Sequence, residues 1–291
     1  MHLWQEFRQP NTIEEAIEDL LTAPAPVIPI AGGTDLLLDM RQGRQMPAQT
    51  LVDLTGIREM NVIESRDDFV YIGACVPINQ IIAHTLVNQH AQALVEACDL
   101  IAGPQVRNTA TLGGNVAHAL PAADGTIALL ALGTSAEIAS ENGLHKAHFH
   151  DLFLGPGKSA LDKACELIAG FLIPKSQTGQ ASAFKRIMRP QGVALPILNS
   201  AVWVDRKDDL LNDLRIAVGP GGPTPFRATE AENVLRGQAV NEKLLDLAYQ
   251  RVLEQGSFRT SPRRATSNYR KYVLKSLFID TFTKAWKRAI A

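Results

Sequence analysis

The sequence predicts an α+β protein of two domains, and two observations carry that prediction. Up to about residue 176, short apolar runs alternate with helical stretches around two glycine-rich turns, Ala31-Gly32-Gly33-Thr34-Asp35 and Thr111-Leu112-Gly113-Gly114-Asn115. A polar stretch, Pro174-Lys175-Ser176-Gln177-Thr178-Gly179-Gln180, then breaks the pattern, and beyond it strands come first and helices after. The expected division is therefore 1–176 and 177–291, with the first domain split into units of about 1–55 and 56–176.

Taken in order, Thr12-x-x-Glu15 is a capping-box signature, so a helix should run from about Ile13 to Leu21. Pro24 and Pro26 end it, and Val27 to Ala31 is a short buried strand that delivers the first glycine turn. A helix from about Asp35 to Gln42 should stop at Gly43, and Leu51 to Leu54 is a second strand. Phe69 to Ala74 reads as a strand, with Pro77 at the first position of the next helix. One longer helix is expected from Asn88 to Ala102, ended by Gly103-Pro104, and the second glycine turn follows. Ala128 to Leu132 should be helical or buried, ending at Gly133, and strands should cover Ala136 to Ala139 and Glu166 to Ile173.

The second domain should hold strands at Ala183 to Met188, Ile197 to Val204 and Leu214 to Val218, a turn at Pro220-Gly221-Gly222-Pro223, and three helices. The last helix is expected from about Pro262, with Tyr269, Val273, Leu277 and Trp286 forming its core stripe.

Composition narrows the function classes. At 291 residues with 46% apolar and 20% charged residues, the chain can bury two sizeable cores. A net charge of −1 favours neither nucleic acid nor an anionic membrane as partner. No apolar run is long enough for a membrane span, and the first residues lack signal-peptide blocks. Cys75, Cys98 and Cys165 form no C-x-x-C motif, so they read as buried thiols in a reducing cytoplasm. Three cysteines also fall short of the four ligands that common iron–sulfur sites use.

Adjacent glycines let backbone N–H groups converge in one turn, because no Cβ blocks positive φ. Two such turns with matching Thr and Asp or Asn flanks suit a two-walled diphosphate site. Each flank also has a purely structural reading. Thr34 and Asp35 would serve as helix cap and dipole partner, and Thr111 and Asn115 would brace a tight loop. Asp124, after Pro121-Ala122-Ala123, would cap a helix, and Lys185 would face solvent from a strand. His145, His148 and His150 cluster in sequence, with His148 and His150 on one face if the segment is a strand, but they lack a third convergent ligand for a metal. No Ser-His-Asp or Cys-His constellation is recognisable by spacing.

The glycine pairs, the opening Phe7-Arg8-Gln9-Pro10, the stretch Ile101-Ala102-Gly103-Pro104-Gln105-Val106-Arg107-Asn108 and Phe184-Lys185-Arg186 together resemble the FAD-binding medium subunit of molybdenum hydroxylases, the xanthine dehydrogenase and carbon monoxide dehydrogenase group. The resemblance implies a vanillyl-alcohol-oxidase-like (PCMH-type) FAD-binding domain followed by a smaller α+β domain. It implies non-covalent FAD held by Pro29, Ile30, Ala31, Gly32, Gly33, Thr34, Asp35 and Leu36, and by Thr111, Gly113, Gly114, Asn115 and Asp124. Ile101 matches a position where an aromatic packs near the isoalloxazine ring, and Ile168 one that meets the ring by backbone or apolar surface; for both, ordinary core packing is the alternative. By the same resemblance Lys185 reaches the cofactor, where its charge would stabilise an anionic reduced ring.

The implied partners are a large molybdenum-cofactor subunit and a small subunit with [2Fe–2S] clusters, as a dimer of heterotrimers. The implied role is relay of electrons to NAD or another acceptor while a purine or other N-heterocycle is hydroxylated, with no catalytic residue in this chain. The alternative is a self-contained FAD dehydrogenase of the vanillyl-alcohol oxidase type.

Overall fold

A computed structural model describes residues 2–189, 195–262 and 264–289. The chain opens with a three-stranded parallel sheet in which Thr50–Asp53 lies between Glu6–Arg8 and Val27–Ile30. Helix Ile13–Thr22 crosses between the outer strands, and helix Leu36–Arg41 joins Val27–Ile30 to the central one. The capping box forms in altered shape. Thr12 Oγ1 accepts from Glu15 N at 3.1 Å, but the Glu15 carboxylate reaches past Thr12 to Asn11 N at 2.7 Å. Strand Glu6–Arg8 went unpredicted, since three residues are too few to show alternation.

The next unit is a five-stranded antiparallel sheet ordered Ile63–Arg66, Phe69–Gly73, Leu167–Pro174, Ser135–Ser140, Gly143–His148. Between its second and fourth strands in space, the chain inserts a run of helices from Ile78 to Leu132. The expected long helix is two, Thr85–His90 and Gln92–Asp99, broken at Ala91 with φ −138° and ψ 50°. Side chains add bonds on either side: Asn88 at the start of the first helix, Gln92 across the break. Asn88 Nδ2 donates to the Ile82 and His84 carbonyls, and Gln92 Nε2 to the Asn88 carbonyl. Pro77 precedes helix Ile78–Ala83 instead of opening it.

His148 ends the edge strand while His150 lies in the following 3-10 turn, Phe149–Leu152, so the two do not share a strand face. Cys75 and Cys98 are buried, and burial pushes the Cys75 thiol up to about 12. Cys165 is half-exposed, contrary to the expected burial, because it lies in a loop ahead of strand Leu167–Pro174.

Helix Asp124–Leu132 is apolar on every side and buried along its whole length, which requires cover on all faces. Helix Gln92–Asp99 and strands Leu198–Lys207 and Leu210–Gly219 supply most of that cover, with smaller contributions from helix Leu112–Ala117 and strand Leu167–Pro174. Phe184, Ala201, Trp203 and Ala217 accordingly belong to the same apolar core as the helices before residue 132. Gly133 ends the helix in the left-handed conformation at φ 70°.

The last sheet is antiparallel: Gln180–Ile187, Leu198–Lys207, Leu210–Gly219 and Phe226–Arg227 in order, with Gln238–Ala239 on the edge. Three helices follow, Thr229–Leu235, Glu242–Gln255 and Ser267–Arg288. The buried stripe of the last is Arg270, Leu274, Leu277, Phe278, Thr281, Phe282 and Ala285. Of the expected stripe, Leu277 is buried and Val273 and Trp286 pack at its margin. Tyr269 is 45% exposed, because the buried seam is set by the neighbouring Arg270.

Because helix Asp124–Leu132 is shared by two layers, Leu129→Ala should cost about 2–5 kcal/mol. Urea unfolding of the purified chain measures this, and a loss below about 1 kcal/mol would contradict the shared core.

Candidate functional site

The first glycine turn sits at the carboxyl end of a parallel strand, where βα turns in open sheets receive ligands. Gly33 adopts φ +62°, which a side chain rarely tolerates. Gly32 has another constraint: a Cβ there would lie 2.2 Å from the Thr109 carbonyl oxygen and 2.9 Å from Ala110 Cα. The two glycine-bearing segments therefore touch backbone to backbone. Among the described residues, the amides of Gly32, Gly33, Thr34 and Asp35 donate to no protein acceptor. Four consecutive free donors form a cradle for an anion.

Helix Leu36–Arg41 begins after Asp35, whose side chain makes no cap bond, so Thr34 is not the cap the sequence suggested, while Asp35 stands at the helix start. Around the turn, Pro29 is half-buried, Ile30 and Leu36 pack on the small core of Met40, Ala48 and Leu51, and Ala31 packs on the main core.

The second turn differs from the sequence expectation of a matching donor cradle. Gly113 N donates to the Ala74 carbonyl at 2.8 Å, Gly114 N to Thr111 Oγ1 at 3.1 Å, and Asn115 N to the Thr111 carbonyl at 3.1 Å. Its amides are thus spent on protein, and the turn is the capped start of helix Leu112–Ala117. A Cβ on Gly113 would meet Ala74 Cβ and its carbonyl oxygen at 2.6 Å, so this glycine permits inward packing. Gly114 is exposed, and a Cβ there would meet only Thr111 Oγ1, at 3.1 Å. Among the described residues, buried Asn115 Oδ1 has no hydrogen-bond partner.

A contact between Asp35 and His118 links the segments a second time. His118 Nδ1 lies 3.3 Å from Asp35 Oδ2, with side chains 34% and 67% exposed. The hydrogen bond to Asp35 raises the imidazole above its ordinary 6.5, and the same bond lowers the carboxyl below 3.8. The imidazole's contribution is full below its ordinary pKa and is lost as pH rises through the raised value; the carboxylate's is full above its ordinary pKa and lost as pH falls through the lowered one. Both shifts favour the charged pair, and its exposure keeps its stabilisation small.

Asp124 is the first residue of its helix and only 5% exposed. Arg186 Nη1 donates to Asp124 Oδ2 at 2.5 Å, and Asn199 Nδ2 to Asp124 Oδ1 at 2.7 Å. Burial raises its pKa against the pull of Arg186. Both oxygens are engaged, so in this arrangement the carboxylate ties the N-terminal helices to the last sheet. Lys185, next along the strand, donates to Asp280 Oδ2 at 3.2 Å and lines a cleft of about 500 Å³ with Leu100, Phe184 and Ser276.

Ile101 is half-buried at the edge of the main core. Its turn is held by Arg107, which donates to the carbonyls of Asp99, Ile101 and Ala102 at 2.8, 3.0 and 3.1 Å, while Ala102 takes φ +45°. Ile168 is 6% exposed, beside a bulge in strand Leu167–Pro174. Sequence reasoning missed Arg107 and Arg186 as organisers, although both stand within the stretches it singled out. A lone arginine gives no signal of which carbonyls or carboxylate it will meet.

A strand-end turn of free amides, pressed against a second small-residue turn over a mixed α/β scaffold, has the donors that a diphosphate-bearing cofactor needs. The profile of the FAD binding domain in molybdopterin dehydrogenase matches residues 5–176, and that of the CO dehydrogenase flavoprotein C-terminal domain matches residues 182–285. The nicotine 6-hydroxylase medium subunit of Paenarthrobacter nicotinovorans is 31% identical, over 97% of each chain. The xanthine dehydrogenase FAD-binding subunit of Escherichia coli O157:H7 is 28% identical over 96% of this chain and 95% of its own. In structure, carbon monoxide dehydrogenase from Hydrogenophaga pseudoflava superposes with a TM-score of 0.92, at 26% identity and 97% coverage of both chains. The chain belongs to the FAD-binding medium subunits of the molybdenum hydroxylase family.

The first turn fits a flavin dinucleotide: its free amides are donors for the diphosphate, and Gly32 leaves room only for backbone. Gly32→Val should force the two segments apart and lower FAD occupancy at least about tenfold. Flavin absorbance per protein, with circular dichroism to confirm folding, checks this; full occupancy would show that the backbone contact is not needed.

Proposed function

We propose that the chain is the electron relay of a molybdenum hydroxylase complex, taking electrons from [2Fe–2S] clusters of a small subunit and delivering them to NAD or another acceptor. A large molybdenum-cofactor subunit would hydroxylate the organic substrate, a purine or other N-heterocycle, in a dimer of heterotrimers. The observation that carries this reading is the pairing of a four-amide cradle with the Gly32 to Thr109 contact, in a chain of this family. Relatives named for xanthine, nicotinate and nicotine support a heterocyclic substrate.

On this reading FAD supplies the redox chemistry when bound, and the protein binds, orients and shields it. Gly32, Gly33, Thr34 and Asp35 hold the diphosphate, while Thr111, Gly113, Gly114 and Asn115 form the opposite wall. Ile101, on the turn fixed by Arg107, and Ile168 bound the ring. Lys185 would leave Asp280 to reach it. Asp124 sets the angle between the domains through Arg186. We place the domain division at 176/177, with the smaller domain closing the ring side.

Two experiments test this. Acid precipitation should release yellow FAD into the supernatant, since the loops offer cradle contacts and no covalent link; colour retained in the pellet would contradict that. The isolated, flavin-loaded chain should fail to oxidise an N-heterocycle that the reconstituted complex oxidises. Comparable rates without partner subunits would instead establish a self-contained flavin dehydrogenase.

A further inference from the structure

The cradle carries a charge conflict. Asp35 contributes one of the four free amides and also a carboxylate, so a negative charge lies within one residue of the place where an anion would sit. A carboxylate beside a diphosphate repels it. Other charges near this spot are already matched or are cationic. Asp39, one turn on in helix Leu36–Arg41, is paired with Arg44 at 2.6 Å. Lys163, exposed in the loop ahead of strand Leu167–Pro174, opposes protonation of His118. Among the described residues, the side chain in contact with Asp35 is His118, at 3.3 Å, reaching across from the end of the second loop's helix, while Arg44 acts on Asp35 only through space.

We propose that His118 is a cofactor-positioning residue, which as a cation neutralises Asp35 and thereby lets the four-amide turn accept the diphosphate of FAD. When His118 loses its proton, Asp35 loses its largest compensating charge, with only the more remote Arg44 still acting on it, and flavin binding weakens. Binding of FAD is therefore linked to retention of one proton on His118, and affinity falls as pH rises through the imidazole's raised pKa. The direction follows from charge alone: an imidazolium beside a carboxylate is neutral overall, and an imidazole beside a carboxylate is anionic. This inference rests on placing the diphosphate at the first loop.

The test is titration of FAD into the full chain freed of flavin, followed by flavin fluorescence from pH 6 to 9, for wild type, His118→Gln and Asp35→Asn. Wild type should lose about three- to tenfold in affinity across that range, as expected for a partly exposed charge next to a doubly charged ligand. His118→Gln keeps a hydrogen-bond donor but cannot titrate, so it should hold the weaker, high-pH affinity of wild type throughout. Asp35→Asn removes the charge that needs compensation and should bind more tightly than wild type at pH 9. A flat wild-type profile, an undiminished slope in His118→Gln, or weaker binding by Asp35→Asn at pH 9 would overturn the proposal. A merely structural histidine would lower affinity by the same factor at every pH. Failure of the wild type to bind FAD at any pH would remove the diphosphate assignment itself, a result distinct from pH-independent binding.

Discussion

The close approach of Gly32 to the Thr109–Ala110 backbone is the contact on which the rest of the site depends. The two segments come from different units, one from the end of a parallel strand and the other from the helical insertion in an antiparallel sheet. No side chain fits between them, since even a Cβ would lie 2.2 Å from a carbonyl oxygen. Only this approach brings Asp35 within reach of His118 and sets the free amides of the first turn opposite the second.

The two glycine pairs then divide the work. The first leaves its amides free and takes a positive φ, so it presents donors. The second uses its amides and its Gly113 surface to lock onto Ala74 and Thr111, so it presents a rigid wall. A rigid wall helps the donor side, because an anion cradle gains affinity when its geometry is fixed before binding. The Asp124, Arg186 and Asn199 cluster extends that rigidity to the last sheet, and helix Asp124–Leu132 provides the apolar surface beneath it.

Much of this was legible in the sequence, for identifiable reasons. Strand Val27–Ile30, helix Leu36–Arg41 and Gly43 beyond it follow from proline, apolar and glycine punctuation, which are local signals. The three helices at the end follow from length and periodicity. The break at Ala91 was not legible, because no glycine or proline marks it and the bond that spans it comes from the Gln92 side chain. The differing roles of two similar Gly-Gly turns were not legible either. Each depends on what lies behind it, Thr109 for Gly32 and Ala74 for Gly113, and neither neighbour is near in sequence. The same holds for the partners of Asp124, Lys185 and His118, which all come from distant segments.

The most direct measurement of this division is amide hydrogen exchange of the full chain with and without FAD. Amides without an acceptor exchange quickly until a ligand supplies one, whereas amides already bonded to protein gain little. Residues 32–35 should therefore change from fast to strongly protected on adding FAD, while residues 113–115 should be protected in both states. Exchange at residues 32–35 that FAD leaves unchanged would contradict the account of the first turn as the diphosphate cradle.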